Sequence, residues 1–248
     1  MAFNYSPKTV TDGLVFAVDA ANKKSYPGSG TTWSDLAGSN NGTLTNGPTF
    51  DSANGGSIGF DGANDSIDLD THASTFSGLN IGSVSIWFKI ESSESGGCLF
   101  SIAESSDPKI ISINNSRRNT NKPVIIDDDD GGSGGWNLNA YESTGNGSKY
   151  RDGVWHNVFL VVGSSSNKLY MDGSELSLTY GRGSSSTGNW LFPLNLDSMR
   201  IGVSRHGGTE NLQTFFEGQI ATTQLYNRVL TSTEVLQNYN ALKSRFGL

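Results

Sequence analysis

From Ser83 to Ile90 apolar and polar positions alternate: Val84, Ile86, Phe88 and Ile90 are interleaved with Ser85, Trp87 and Lys89. A period of two predicts a β-strand with one side on a core. SIGFDGANDSIDLD predicts two short strands around a Gly-Ala-Asn-Asp turn, with Ile67 and Leu69 facing one way and Ser66, Asp68 and Asp70 the other. The run 154–162, VWHNVFLVV, is apolar on both sides in its second half, as a central covered strand requires. Gly163 to Asn167 predicts a polar hairpin loop into KLYMD, and Asp172-Gly173 a tight turn into SELSLTY. MRIGV and QIATTQLYN supply later strands. Helical spacing occurs once, near the end. Thr231 to Glu234 forms a capping box, Leu230 and Val235 a hydrophobic staple, and Val235, Leu236, Tyr239 and Leu242 an apolar stripe. No period of self-similarity is visible. Many short strands separated by Gly and Asn turns predict an all-β sandwich, with an N-terminal arm over 1–12 and one domain over 13–248.

Composition narrows the function classes. A chain of 248 residues suffices for one sizeable core, and 31 Gly against 6 Pro fit a turn-rich β fold. The net charge of −7 argues against nucleic acid as a partner. Cys98 is the single cysteine, so no intrachain disulfide can form. The apolar run Leu14 to Val18 lies between Asp12 and Asp19 without a basic flank, which predicts neither a secretion signal nor membrane insertion.

Four segments taken in order, SIGFDGANDSIDL, SVSIWFKI, DGVWHNVFLVVGSSSNKLYMDG and FEGQIATTQLYNRVLTSTEVLQNYN, resemble the laminin-G-like group of the concanavalin A-like lectin/glucanase superfamily. The resemblance implies a jelly roll of two curved antiparallel sheets that binds ligands at one rim or on its concave face. It makes Trp87 and Trp155 framework residues expected between the sheets, and His156 a structural residue for which spacing implies no carboxylate partner. A second resemblance covers 12–48, DGLVFAVDAANKKSYPGSGTTWSDLAGSNNGTLTNGP, which is similar to the opening of laminin-G-like proteins of tailed marine and cyanobacterial phages. It implies a structural or decoration protein of a virion, released by lysis without an export signal. The expected partners are then other virion proteins, host-surface glycans and further copies of the chain on a symmetric mount. The alternative is a secreted cell-surface carbohydrate-binding or adhesion module, and a third reading is a glycoside hydrolase.

The candidate chemistry points away from catalysis. Retaining glucanases of the superfamily carry two close carboxylates, usually as Glu-x-Asp-x-Glu on one strand, and that array is absent. His72, His156 and His206 are widely separated and no His-Glu-x-x-His occurs. No catalytic residue is assigned, and Asp68 with Asp70 reads as a solvated row. Calcium is the candidate cation, because the segment VIIDDDDGGSGGW combines carboxylates with glycine-rich backbone. An EF-hand is excluded, since the twelfth position counted from Asp127 is Leu138. The resemblance adds Asp61 and Asp65 as rim ligands, while Ala221 and Thr222 stand where relatives carry acids. The candidate metal set is thus Asp61, Asp65, Asp127, Asp128, Asp129 and Asp130, with a solvated loop as the alternative for the last four. For sugar binding, Trp136 and Trp190 are the tryptophans not taken by framework motifs, and Asn137 and Asn139 follow the first.

Overall fold

The computed structural model describes residues 7–104, 110–115, 122, 125–129, 136–188, 196–205 and 212–248. In chain order its strands are β1 (Leu14–Asp19), β2 (Thr32–Trp33), β3 (Gly42–Thr45), β4 (Thr49–Asp51), β5 (Ser57–Asp61), β6 (Ser66–Asp68), β7 (Gly82–Lys89), β8 (Gly97–Ala103), β9 (Ile110–Asn115) and β10 (Ile125–Asp129). There follow β11 (Trp136–Glu142), β12 (Trp155–Gly163), β13 (Ser166–Met171), β14 (Ser174–Glu175), β15 (Leu178–Arg182), β16 (Ser198–Ile201), β17 (Ser204–Arg205), β18 (Leu212–Gln213) and β19 (Glu217–Tyr226). A short helix α1 (Asp70–Ala73) follows β6, and α2 (Ser232–Leu242) follows β19.

Two antiparallel sheets face each other. Sheet A runs β14-β13-β12-β7-β19-β5-β4, with β1 also paired to β19, and sheet B runs β15-β11-β10-β9-β8-β16-β6-β3-β2. The space between them is filled by alternate residues of each strand. Val84, Ile86, Phe88, Val158, Leu160 and Val162 come from sheet A, and Ile67, Phe100, Ile102, Ile113, Leu138 and Met199 from sheet B. Asp172 and Gly173 both adopt positive φ, and Met171 pairs with Ser174 across them, so the expected two-residue hairpin forms. The β12–β13 loop is tighter than expected, because Gly163 already pairs with Ser166.

Trp87 and Trp155 do not lie between the sheets. Val84, Ile86 and Phe88 point inward, so strand alternation turns Trp87 to the outer face of sheet A. There its ring stacks on Tyr239 at 5.5 Å and on Phe246 at 4.4 Å, and Trp155 meets Phe246 at 4.7 Å. The C-terminal segment thus roofs sheet A.

The start of α2 is fixed as its sequence predicts: the Glu234 amide donates to the Thr231 hydroxyl at 3.2 Å and the Thr231 amide donates back to the Glu234 carboxylate at 2.8 Å. Leu230 and Val235 are both buried in one cluster with Phe159, Tyr170 and Tyr226. The apolar stripe is shifted, however. Leu236 is 45% exposed, and the buried position belongs to Asn238. The Val10 amide donates to its Oδ1 at 2.7 Å, its Nδ2 donates to the Tyr226 hydroxyl at 3.0 Å, and that hydroxyl donates to the Val10 carbonyl at 3.0 Å. This closed polar triangle attaches the N-terminal arm to the helix.

The Trp33-Ser34-Asp35-Leu36 stretch is likewise a structural knot. Trp33 is fully buried in the core. The Asp35 carboxylate accepts from the amides of Ala17, Ala37 and Asn40 and so shapes the loop that follows.

Phe246→Ala is expected to remove the ring that contacts both tryptophans and to destabilise the fold by about 3 kcal/mol. Urea denaturation with unchanged slope would measure this, and a loss below about 1 kcal/mol would show that the C-terminal roof contributes little.

Candidate functional site on the outer face of sheet B

The aspartate run is a strand over Asp127–Asp129, hydrogen-bonded on both sides, and not a solvated loop. Aspartate is a poor strand former, but pairing with β9 and β11 decides the local structure. Asp127 stands in register between Ser112 and Asn139, Asp128 between Ile111 and Leu138, and Asp129 between Ile110 and Trp136. The sequence candidates Trp136, Asn137 and Asn139 therefore lie on the strand next to Asp127, Asp128 and Asp129. Asp130 and Trp190 lie outside the described residues.

The register extends across the sheet. Thr32, Thr43, Asp68, Arg200, Ser101, Ser112, Asp127, Asn139 and Arg182 are successive partners on nine adjacent strands. Asp68 and Asp70 are not a free solvated row. Arg200 Nη1 meets Asp68 at 3.0 Å, and its Nε donates to Asp70 at 2.9 Å while Nη2 engages the second Asp70 oxygen. Arg205 lies 3.7 Å from Asp70. The centre of the row is covered, because Ser101 donates to the Val203 carbonyl at 2.8 Å.

The open part is the end formed by β11 and β15. Asn139 and Tyr141 are half-buried there, and Thr179 and Arg182 are exposed. The Lys122 ammonium sits 4.4 Å from the Tyr141 ring centroid. A Cβ on Gly181 would stand 2.5 Å from the Asn139 Oδ1, so the missing side chain makes room for that amide. Tyr141, Thr179 and Arg182 are functional candidates that the sequence does not single out. The signal for Tyr141 was available: Leu138 and Ala140 alternate with Asn137, Asn139 and Tyr141. An aromatic ring, an amide, a hydroxyl and a guanidinium on two neighbouring strands can stack on and hydrogen-bond a polyhydroxylated ligand.

A laminin-G-type family model, described as the concanavalin A-like lectin/glucanases superfamily, matches residues 61–236. The chain belongs to this superfamily. Among solved structures, the lectin/glucanase-type chain is similar to domain 4 of AbnA, a GH43 extracellular arabinanase from Geobacillus stearothermophilus, in complex with arabinotriose. That match has 19% identity and a TM-score of 0.59, and covers 91% of this chain and 98% of that one. The CBM40 of the Ruminococcus gnavus IT-sialidase matches at 18% identity and TM-score 0.56, over 73% of this chain and 94% of that one. Trypanosoma rangeli sialidase in complex with sialic acid matches at 14% identity and TM-score 0.56, over 94% of this chain, which spans only 33% of that protein. These likenesses show the fold. No curated protein sequence is significantly similar to the chain.

At the rim of the lectin/glucanase sandwich, Asp61 and Asp65 border a cleft of about 380 Å³ with Asn46, Thr49, Glu94 and Gln219. Asp65 is buried and accepts from the Asp61 amide at 3.1 Å, while Asp61 accepts from the amides of Ala63 and Asn64. Backbone donors, first that of Ala63, hold the Asp61 carboxyl below its ordinary range, and burial pushes Asp65 upward. Each thus spends one oxygen on its own turn. Calcium requires six to eight oxygens, and at the two positions where the resemblance implies further acids the chain has Ala221, packed with Trp87 and Trp155, and buried Thr222. On their own, Asp61 and Asp65 supply fewer oxygens than a calcium shell requires. Nor does the fold join this pair to the aspartate strand: Asp61 ends β5 in sheet A, and Asp65 directly precedes β6, which lies four strand spacings from β10, roughly 19 Å.

His156 has carboxylate partners that its spacing in the sequence does not imply. Asp172 approaches Nδ1 at 2.8 Å and Asp152 approaches Nε2 at 3.3 Å, while Tyr150 packs against the ring. With both nitrogens engaged, the imidazole is a bridge and not a free base. Burial favours its neutral form, but the bonds and charges of Asp172 and Asp152 outweigh this and raise its pKa above the ordinary value. The protonated bridge therefore stabilises the fold fully below the unfolded value of about 6.5, and this contribution disappears as pH rises through the higher folded value. The stability difference between the native chain and His156→Gln is expected to shrink as pH increases across that window. Urea midpoints measured at several pH values test this, and a pH-independent difference would contradict the bridge.

Proposed function

We propose that the chain is a carbohydrate-binding module that holds glycans on the outer face of sheet B, over β10, β11 and β15. The observation that carries this reading is the grouping of Tyr141, Asn139, Thr179 and Arg182 beside the aspartate strand, on the face turned away from the core. On the outer face of the other sheet, Trp87 and Trp155 are covered by Tyr239 and Phe246. The arabinotriose complex of the arabinanase domain and the carbohydrate-binding class of the sialidase module support the same reading. The reading is of binding without turnover, and on this face Asp68 and Asp70 are both engaged by Arg200.

The similarity of residues 12–48 to phage laminin-G-like proteins supports a second proposal, that the module is mounted on a virion. Peptides of the chain should then be found by mass spectrometry in purified particles, and their absence would remove this setting while leaving the binding proposal intact.

The direct test is binding of the purified chain, clustered on beads, to a broad panel of bacterial and algal glycans with calcium or with EDTA. Saturable binding is expected, with Asn139→Ala and Tyr141→Ala each weakening it about tenfold, the loss of one good hydrogen bond or stacking contact. Gly181→Ala should change stability by no more than about 0.5 kcal/mol yet weaken binding through displacement of the Asn139 amide. Full binding in EDTA is expected if no essential cation is held, whereas loss in EDTA would make the segment Asp127 to Asp130, or Asp61 with Asp65, a candidate metal site. Absence of saturable binding to every glycan would overturn the proposal.

A further inference from the structure

The two sheets have free edges that lie side by side. β14 ends sheet A, β15 ends sheet B, and the chain passes from one to the other through Leu176 and Ser177. Between these edges opens a slot of about 600 Å³. Leu176, Leu178 and Tyr180 form its apolar floor and pack on the main core. Ser166, Lys168, Glu175, Ser177 and Ser185 form its polar rim.

The floor is held in place. The Tyr180 hydroxyl donates to Asn167 Oδ1 at 3.1 Å, and Asn167, itself 3% exposed, donates from Nδ2 to the carbonyls of Ser184 and Thr187 at 2.8 and 2.7 Å. At the rim, Lys168 donates to Glu175 at 2.8 Å, and the Tyr170 hydroxyl reaches the same carboxylate oxygen at 3.3 Å. A half-exposed ring with fixed orientation, surrounded by hydroxyls and a carboxylate, suits a ligand with one apolar face and many hydroxyls. A purely apolar ligand would leave the rim's polar groups unpaired, and a simple anion would meet Glu175.

We infer that this slot is a second saccharide subsite, which takes a sugar ring against Tyr180 with its hydroxyls on Glu175, Lys168 and the rim serines. The inference rests on the carbohydrate-binding reading and adds a separate place of contact. Both sites share β15: Leu178 and Tyr180 line the slot, and Thr179 and Arg182 stand at the outer face. A glycan that bends around this edge strand engages both, which raises overall affinity without new contacts at either site. Burial, aided by the charge of Glu175, raises the Tyr180 phenol above its ordinary value, so the ring keeps the proton it donates to Asn167.

The test is amide-resolved NMR of the full chain titrated separately with arabinose, galactose, glucose, mannose, xylose and N-acetylglucosamine. The expected result is a group of shifts at 166–168 and 175–185 distinct from a group at 136–141. Ser177→Trp, which adds bulk at an exposed rim position, should abolish the first group and leave the second, while Tyr141→Ala should do the reverse. Shifts confined to 136–141 would overturn the slot and leave the outer-face proposal standing. Shifts confined to the slot would uphold it and overturn the outer-face proposal. Slot shifts that persist unchanged in Ser177→Trp, or no shifts with any of the six sugars, would overturn the slot.

Discussion

The stacking of Trp87 on Phe246 and Tyr239 decides how the sandwich meets solvent. A β-sandwich has two outward faces, and an outward face bearing tryptophans must be covered. In this chain the cover comes from the last fifteen residues, which lie on sheet A. Sheet B thereby becomes the face on which a polar register can stay open, and the place of the candidate site follows from where the helix docks.

Much of the fold was legible because strand alternation is a local signal. SVSIWFKI, the Asp172-Gly173 turn and the Thr231–Glu234 cap each declare themselves within ten residues. The position of Trp87 was also available from the same alternation, since it is out of phase with Val84, Ile86 and Phe88; treating it as a large aromatic destined for the centre overrode the parity. Leu236 and Asn238 exchanged roles for a different reason. The polar triangle with Val10 and Tyr226 joins residues more than two hundred positions apart, and no helical pattern contains that information.

The candidate site was legible in part. Trp136, Asn137 and Asn139 were chosen for their chemistry, and the fold sets them beside Asp127, Asp128 and Asp129. That these aspartates form a strand could not be read from their own propensity, because β9 and β11 impose it from both sides. Similarly, Asp68 and Asp70 looked solvated because Arg200, which binds both, lies about 130 residues away in sequence. His156 shows a nearer failure: its partners are four and sixteen residues away, but only the folded β12–β13 hairpin brings Asp172 back to it.

The polar triangle of Val10, Tyr226 and Asn238 has a consequence for orientation. It fastens the entering segment to the closing helix, so the described chain arrives and leaves on the same side, behind sheet A. An attachment that leaves the module directly from this side would turn sheet B outward, like the open palm of a tethered hand.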